Sequence, residues 1–594
     1  MKPGGIVSFY WRVVLRPYFW QSLAIFSLVF FCALMDSLTV ALSIPLLETV
    51  SKQDIRLAGV TAHVEEALRW MGFSFNKNQF IFILLSIMVA LFTVRSFSYL
   101  ISQFYIGRIG FNVRRKVKTQ LVERFLNFRY AAFVSRSRGA IVRDIEATSE
   151  DLYTNISRIG FFFSSLVNLV MLLILMVYLS WQATCVLAFI AVAGIQGWRW
   201  FSGSRTKVYG SNIYELRRMM SQLIVDAIDG IRVVKSFDIN GVLVKKFDGL
   251  ISRETGYLVR NVFFANGSGP MMETVAGLVI LCLGAVVFLA PGQGVGFPLF
   301  GAFLLALRRM GPLISNLNLA LVEINLSRKG LEVMEEILYR APLEEARPLS
   351  VSRVDCIHLK DVGFFYGDKE TLRDFNLSFN KGTVTAIVGP TGAGKSTLVN
   401  LLMGFHEPSQ GDIFVDGVRF KDIDRQAWRR KIGYVSQDVF LFNATLKENI
   451  TLWSEAFTQA DVERAARFAQ IHEFAQTLSL GYDTVVGDRG VRFSGGQCQR
   501  VALARAILRN PEVLIFDEAT SALDNLTEKA VYEALDLCRA KSIIILISHR
   551  LNTIHEADHI FVIQDGRIIE HGSHEDLIRE NGYYHKLHNV EVVS

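Results

Sequence analysis

The run Gly389-Pro390-Thr391-Gly392-Ala393-Gly394-Lys395-Ser396, followed by Thr397, has the spacing of a phosphate cradle. Its glycines let backbone N–H groups turn onto phosphate oxygens, and a helix opening at Lys395 adds partial positive charge. Lys395 is placed to reach β- and γ-phosphates, and Ser396 to ligate Mg²⁺. About 120 residues downstream, the apolar run Val513-Leu514-Ile515-Phe516 ends in Asp517-Glu518. An acid at the end of such a strand can face the Mg²⁺, and the next can polarise an attacking water. Together these residues predict hydrolysis of a nucleoside triphosphate.

Two kinds of element must position them. Val384–Val388 reads as a short buried strand leading into the glycine loop, with a helix after it. Val513–Phe516 and Ile543–Ile547 suit the centre of a parallel sheet, and Cys356–Tyr366 alternates like a strand. An α/β domain is therefore expected over 355–594, after a proline-marked linker at 341–354. Residues 1–340 are different. Long apolar runs near 19–47, 79–104, 159–180, 182–200, 262–290 and 295–320 are each long enough to cross a bilayer. An amphipathic N-terminal helix is expected before the first span and another, on the outer surface, near 60–75. The fold class expected is a multidomain membrane protein, a six-helix all-α transmembrane domain followed by a P-loop α/β ATPase domain. Charged helical extensions should follow spans two and four, with short transverse helices near 139–146 and 237–246.

The chain has 594 residues, about half of them apolar, and a formal charge of +7. Its basic residues sit beside the apolar runs, among them Arg114, Arg115, Lys116 and Lys118. That is the positive-inside pattern, not a nucleic-acid footprint, so no nucleic-acid partner is expected. The six cysteines form no C-x-x-C pair and read as isolated reduced thiols.

Phe493-Ser494-Gly495-Gly496-Gln497 completes the pattern, and with it the chain resembles the ABC transporters, specifically the exporter-type half-transporters. Phe493 stands where that family usually has Leu, and Cys498 where Lys, Arg or Gln is usual. The resemblance implies further roles. Tyr366 stacks on adenine. Gln437, in Val-Ser-Gln-Asp, touches Mg²⁺ and senses the membrane domain. Asp524, in Ser-Ala-Leu-Asp, belongs to a loop linking two ATP sites, and His549, in Ser-His-Arg, contacts the γ-phosphate. Val486-Gly487-Asp488-Arg489-Gly490 is similar to the loop of exporters that touches intracellular helices, with Asp488 for the usual Glu.

One glycine loop and one Ser-Gly-Gly-Gln segment per chain imply a dimer, if each site takes its loop from one subunit and its signature from the other. The expected partner is a second copy of the chain, with a heterodimer as the alternative. ATP and Mg²⁺ are the implied cofactors, membrane lipids the surroundings, and a plasma (inner) membrane with a cytoplasmic ATPase domain the location. For the cargo, Asp36, Arg95, Glu273, Arg308 and Arg309 stand within apolar runs. Charges there usually face a cavity or pair internally. Arg95, Arg308 and Arg309 are candidates for a cationic cavity that takes an anionic head group; pairing of Asp36 with an arginine is the simpler alternative. Arg95, Arg309 and the outer helix also resemble features of flippases for lipid-linked oligosaccharides, although Pro270 is followed by Met271 where an arginine is expected. The favoured cargo is a lipid-linked saccharide or glycolipid moved outward. Peptides, polysaccharide or hydrophobic drugs are alternatives, and a non-transporting ATPase is a more distant one.

Overall fold

The computed structural model describes residues 10–51, 60–70, 75–179, 181–267, 297–345, 347–487, 490–518, 538–548 and 554–593, with scattered positions at 72, 269–281 and 536. The chain divides into two compact units, Met1–Phe128 with Ala132–Leu343, and Arg129–Ala131 with Glu344–Ser594.

The first unit is helical. After a five-residue π-helix at Trp11–Leu15 come α1 (Phe19–Ser51), α2 (Val60–Trp70), α3 (Lys77–Leu126), α4 (Arg138–Leu179), α5 (Trp181–Asp229), α6 (Asn240–Asn266) and α7 (Phe297–Tyr339). Among the described residues, α1 (Phe19–Val50), α3 and α4 are long and apolar enough to cross a membrane. About half of the expected fifth span, including all of it after residue 281, lies outside the described residues. On α3, Ile109, Val113, Val117, Leu121 and Phe125 recur every fourth residue and form one buried stripe. It packs on Leu152 and Ile156 of α4 and on Leu331, Met334, Ile337 and Leu338 of α7. Nearby, Val40 of α1, Leu172 and Met176 of α4, and Phe303, Ala306 and Met310 of α7 form a second core. Several expected cytoplasmic charges pair between helices: Lys118 with Glu146 at 2.7 Å, Arg114 with Glu150 at 2.5 Å and Arg217 with Glu254 at 2.6 Å. A helix is present where one was expected on the outer surface: α2, whose Leu68 is buried against Phe80 and Leu84.

The structure has no short helix at either place where a transverse one was expected; its short helices fall earlier. Residues 139–146 lie inside the uninterrupted α4, and the short helix is Tyr130–Val134. Likewise the second is Ile231–Ser236, and α6 already begins at Asn240. Asp238 takes a left-handed conformation, φ 47°, which ends one helix just before the other starts.

The second unit holds two sheets. An antiparallel sheet runs in the order β2 (Lys369–Asn380), β1 (Cys356–Tyr366), β4 (Gln410–Val415), β5 (Val418–Arg419). The other runs β10 (Arg567–Gly572), β9 (His559–Gln564), β3 (Val384–Val388), β8 (Ile543–Ile547), β7 (Val513–Asp517), β6 (Ile432–Val435), parallel except for β10. All five residues of β3 and of β8 are buried, as a central strand covered on both faces requires. Alternation then sorts them. Ile543, Ile545 and Ile547 join the core under the antiparallel sheet, whereas Ile544 and Leu546 join the core under the helices.

Candidate functional site

The glycine loop connects β3 to α8 (Lys395–Leu402), the strand–loop–helix context that the spacing requires. Gly394 caps α8 with φ 109°, and a Cβ there would lie 2.6 Å from Leu372 Cδ2 and 3.1 Å from the Thr371 carbonyl oxygen. Gly389 has φ 156°, and its Cβ would meet the Ile563 carbonyl oxygen at 2.1 Å. Both positions exclude any side chain, so the loop backbone forms a bare concave rim. Lys395 is buried, and its Nζ donates to the carbonyl oxygens of Gly389 (2.7 Å) and Pro390 (3.2 Å). This folds the ammonium over the loop. Burial pushes its pKa down, and Glu518 and Asp517 push it back up.

The loop opens on a cavity of about 710 Å³. Gly389, Pro390, Thr391, Gly392, Gly394, Lys395, Ser396 and Thr397 line one side, with Tyr366, Gln437, Asp517 and Glu518 around the rest. Ala393 is buried behind the loop. Sequence elements from five separate stretches thus converge, because β3, β6 and β7 end on the same edge of the parallel sheet. Asp517 closes β7 and accepts a hydrogen bond from the Tyr434 hydroxyl at 3.3 Å. Burial pushes its pKa up, the Tyr434 bond pulls it down, Glu518 raises it and Lys395 lowers it. Glu518 sits at φ 51°, a left-handed conformation unfavourable for a non-glycine residue, and its N–H donates to the Ile547 carbonyl oxygen at 2.8 Å. The Gln437 amide donates to the Glu518 carboxylate at 2.5 Å. Tyr366 is 44% exposed and sets edge to face against Phe364 and His406, with its own ring free for a flat partner.

These residues fit a nucleotide and its metal. A side chain at Gly389 or Gly394 would collide with Ile563 or Leu372 behind the loop and push its backbone out of place, and Tyr366 supplies a flat apolar surface for a base. Ser396, Gln437 and Asp517 bring hard oxygen donors to the same cavity, as Mg²⁺ prefers. Among the described residues no three His, Cys, Asp or Glu groups could hold a metal by themselves. Thr371, Lys369, Tyr434 and Leu587 also line or brace the cavity, and motif spacing gave no sign of them.

The Ser-Gly-Gly-Gln segment is elsewhere. Ser494 caps α9 (Gly495–Leu508) in a reciprocal box: its Oγ accepts from the Gln497 N–H at 3.2 Å, and the Gln497 side chain accepts from the Ser494 N–H at 2.8 Å. Among the described residues, none of Ser494, Gly495, Gly496 or Gln497 lines the glycine-loop cavity. Ser494 and Gly495 are exposed. Asp524, His549, Asp488 and Arg489 lie outside the described residues.

In the helical unit, Arg95 of α3 and Arg309 of α7 converge on Asp36 of α1. Arg95 Nε and Nη2 are each 3.1 Å from Asp36 Oδ2, and Arg309 Nη1 is 2.6 Å from Oδ1. The pairing anticipated for Asp36 is thus made with both arginines. Arg308 is exposed and has no ion pair among the described residues.

A parallel sheet carrying a phosphate loop, fused to a long-helix unit, defines a membrane-associated P-loop ATPase. Sequence comparison narrows this. Residues 24–305 match the ABC transporter transmembrane region, and 372–521 match the ABC transporter ATPase family. The ATP-dependent lipid A-core flippase of Vibrio cholerae is 32% identical over 536 residues, 88% of this chain and 90% of that one. A putative multidrug export ATP-binding/permease protein of Staphylococcus aureus is 32% identical over 503 residues, 83% and 85% of the two chains. In structure, a bacterial Atm1-family ABC exporter with ATP bound superposes with a TM-score of 0.85 over 97% of this chain and 99% of that one, at 23% identity. The chain belongs to the ABC transporter family. It is an ABC exporter whose ATPase domain binds and hydrolyses ATP to drive transport.

Proposed function

We propose that this exporter moves an anionic glycolipid or lipid-linked saccharide from the inner to the outer leaflet of the plasma membrane. The observation that carries this reading is the Asp36–Arg95–Arg309 cluster: two guanidiniums and one carboxylate within apolar helices leave one net positive charge for a head group. The flippase name of the Vibrio relatives supports the same class of cargo.

The proposed machine spans the membrane six times over 1–340, continues through a linker at 341–354 and keeps its ATPase domain, 355–594, in the cytoplasm. Tyr366 stacks on adenine. The backbone of Gly389–Gly394, with Thr391, Ser396 and Thr397, holds the phosphates. Lys395 leaves its loop carbonyls for the β- and γ-phosphates. Ser396, Gln437 and Asp517 would hold Mg²⁺, which would neutralise phosphate charge. Glu518 takes the proton of the attacking water, and the Gln437 amide orients its carboxylate. His549 contacts the γ-phosphate, and Asp524 links the two sites. Because Ser494–Gln497 stand away from the cavity, a second copy supplies them, and two ATP molecules lie between two chains.

The test is flipping in proteoliposomes of purified protein, with a labelled polyprenyl-pyrophosphate saccharide set against a labelled glycerophospholipid. ATP-dependent movement of the saccharide alone, lost in Glu518→Gln and in Arg95→Ala, is expected. ATP turnover with neither lipid moving sinks the anionic-lipid reading and turns attention to drugs and peptides.

A further inference from the structure

Resting on that reading, we propose that Asp36 is a specificity-determining counter-ion that shares Arg95 and Arg309 with the anionic head group and recloses on them when it leaves. The geometry is unequal. The Asp36 side chain is 11% exposed, against 35% for Arg95 and 27% for Arg309. Both carboxylate oxygens are spent, Oδ2 on Arg95 and Oδ1 on Arg309. The arginines are not. A guanidinium carries five N–H donors. Arg95 uses Nε and Nη2, and Arg309 uses Nη1, which also donates to the Asp36 backbone oxygen at 3.2 Å. Arg95 Nη1 and Arg309 Nε and Nη2 have no hydrogen-bond partner among the described residues, and none of these nitrogens is buried without one. Rings brace both groups: Arg309 lies 5.2 Å from the Phe92 centroid and Arg95 5.7 Å from that of Tyr99. The cluster therefore holds its carboxylate at the back and turns braced, unused donors outward.

An anion entering on those donors meets two guanidiniums and the charge of Asp36 behind them. Because Asp36 lies within 3.1 Å of both guanidiniums, its charge opposes that of an anion held on the same groups. It also spares the two like-charged arginines from facing each other unneutralised. A carrier must let its cargo go, so moderated affinity serves turnover.

The experiment uses the full chain in proteoliposomes, with a bis-phosphorylated glycolipid and its dephosphorylated counterpart as probes. Wild type is expected to prefer the phosphorylated probe. Asp36→Asn should lower KM for that probe about tenfold and lower kcat, as release becomes slow; Asp36→Glu, which keeps the charge, should stay near wild type. A strut that only ties α1 to α3 and α7 gives the opposite: Asp36→Asn raises KM as Arg95→Gln does, and that result overturns the counter-ion role alone. If wild type shows no preference for the phosphorylated probe, the anionic-cargo reading fails and the role falls with it. Should Asp36→Asn not fold, Asp36→Asn with Arg95→Gln restores the wild-type net charge. That pair should bind the phosphorylated probe within about twofold of wild type, where a strut predicts the full loss seen in Arg95→Gln.

Discussion

Glu518 shows how the site spends conformational energy. Its φ of 51° is held by the N–H bond to Ile547 and by the Gln437 amide, so strand β8 and the segment after β6 fix a carboxylate at the mouth of the cavity. A general base contributes about 10²–10⁴ to rate, so Glu518→Gln should slow phosphate release at least a hundredfold. Binding of a fluorescent nucleotide should survive, since the cradle is backbone and Lys395. Loss of both together would make Glu518 a structural residue. At this scale the sequence was most readable where spacing alone dictates geometry, as from Gly389 to Ser396. Tyr434 escaped because a tyrosine in a strand carries no spacing signal; only the fold shows its hydroxyl on Asp517.

At the scale of elements, the loop between β3 and α8 tolerates no Cβ. Gly394→Ala meets both the positive φ and the contact with Leu372, and should abolish nucleotide binding while costing about 1–3 kcal/mol of ATPase-domain stability. Calorimetry with and without nucleotide checks both: wild type gains a higher Tm with nucleotide, and the variant does not. The C-terminal helices offer a pH test. His574 meets the Tyr584 hydroxyl at 2.8 Å and lies beside His555 and His588. Its pKa is pushed down by burial first, then by His588 and His555, against the pull of Glu575. Below the ordinary histidine value of about 6.5 the unfolded chain binds more protons at this position than the folded one. Stability from the neutral ring is thus present above that pH and lost as pH falls through the lowered folded value. A Tm series between about pH 5.5 and 7.5 should fall toward acid, and His574→Gln should flatten the fall. The helices themselves were legible from apolar periodicity, and the sheet from β-branched runs. The transverse segments were misplaced because α4 has no internal breaker at 139–146, whereas the real interruptions follow Asn127 and Gly230, where caps and packing decide.

For the whole molecule, the absence of Ser494 from the glycine-loop cavity makes the proposed assembly testable. If each site joins two chains, a Lys395→Ala chain and a Ser494→Arg chain are each inactive alone. Mixed, they restore one intact site in half of randomly paired dimers, about a quarter of wild-type ATP turnover. No recovery on mixing would point to sites complete within one chain. Two units, a membrane part and an ATPase part, were evident from the shift in composition near residue 340. The cargo was not, because the Asp36–Arg95–Arg309 cluster on which the proposed reading rests joins side chains from α1, α3 and α7 that only folding brings together.

The Asp36–Arg95–Arg309 cluster has an electrical consequence. One uncancelled charge inside apolar helices feels the transmembrane voltage, worth about 2.3 kcal/mol per elementary charge for 100 mV across the full membrane. If the cluster shifts across part of that field during the cycle, the empty carrier does work against the potential, or draws it, at every return stroke. A cargo with one negative charge would cancel the cluster's own, whereas the pyrophosphate and bis-phosphorylated head groups named above carry at least two and would reverse its sign. Held at different voltages, the empty return and the loaded delivery should then respond to the field in opposite directions.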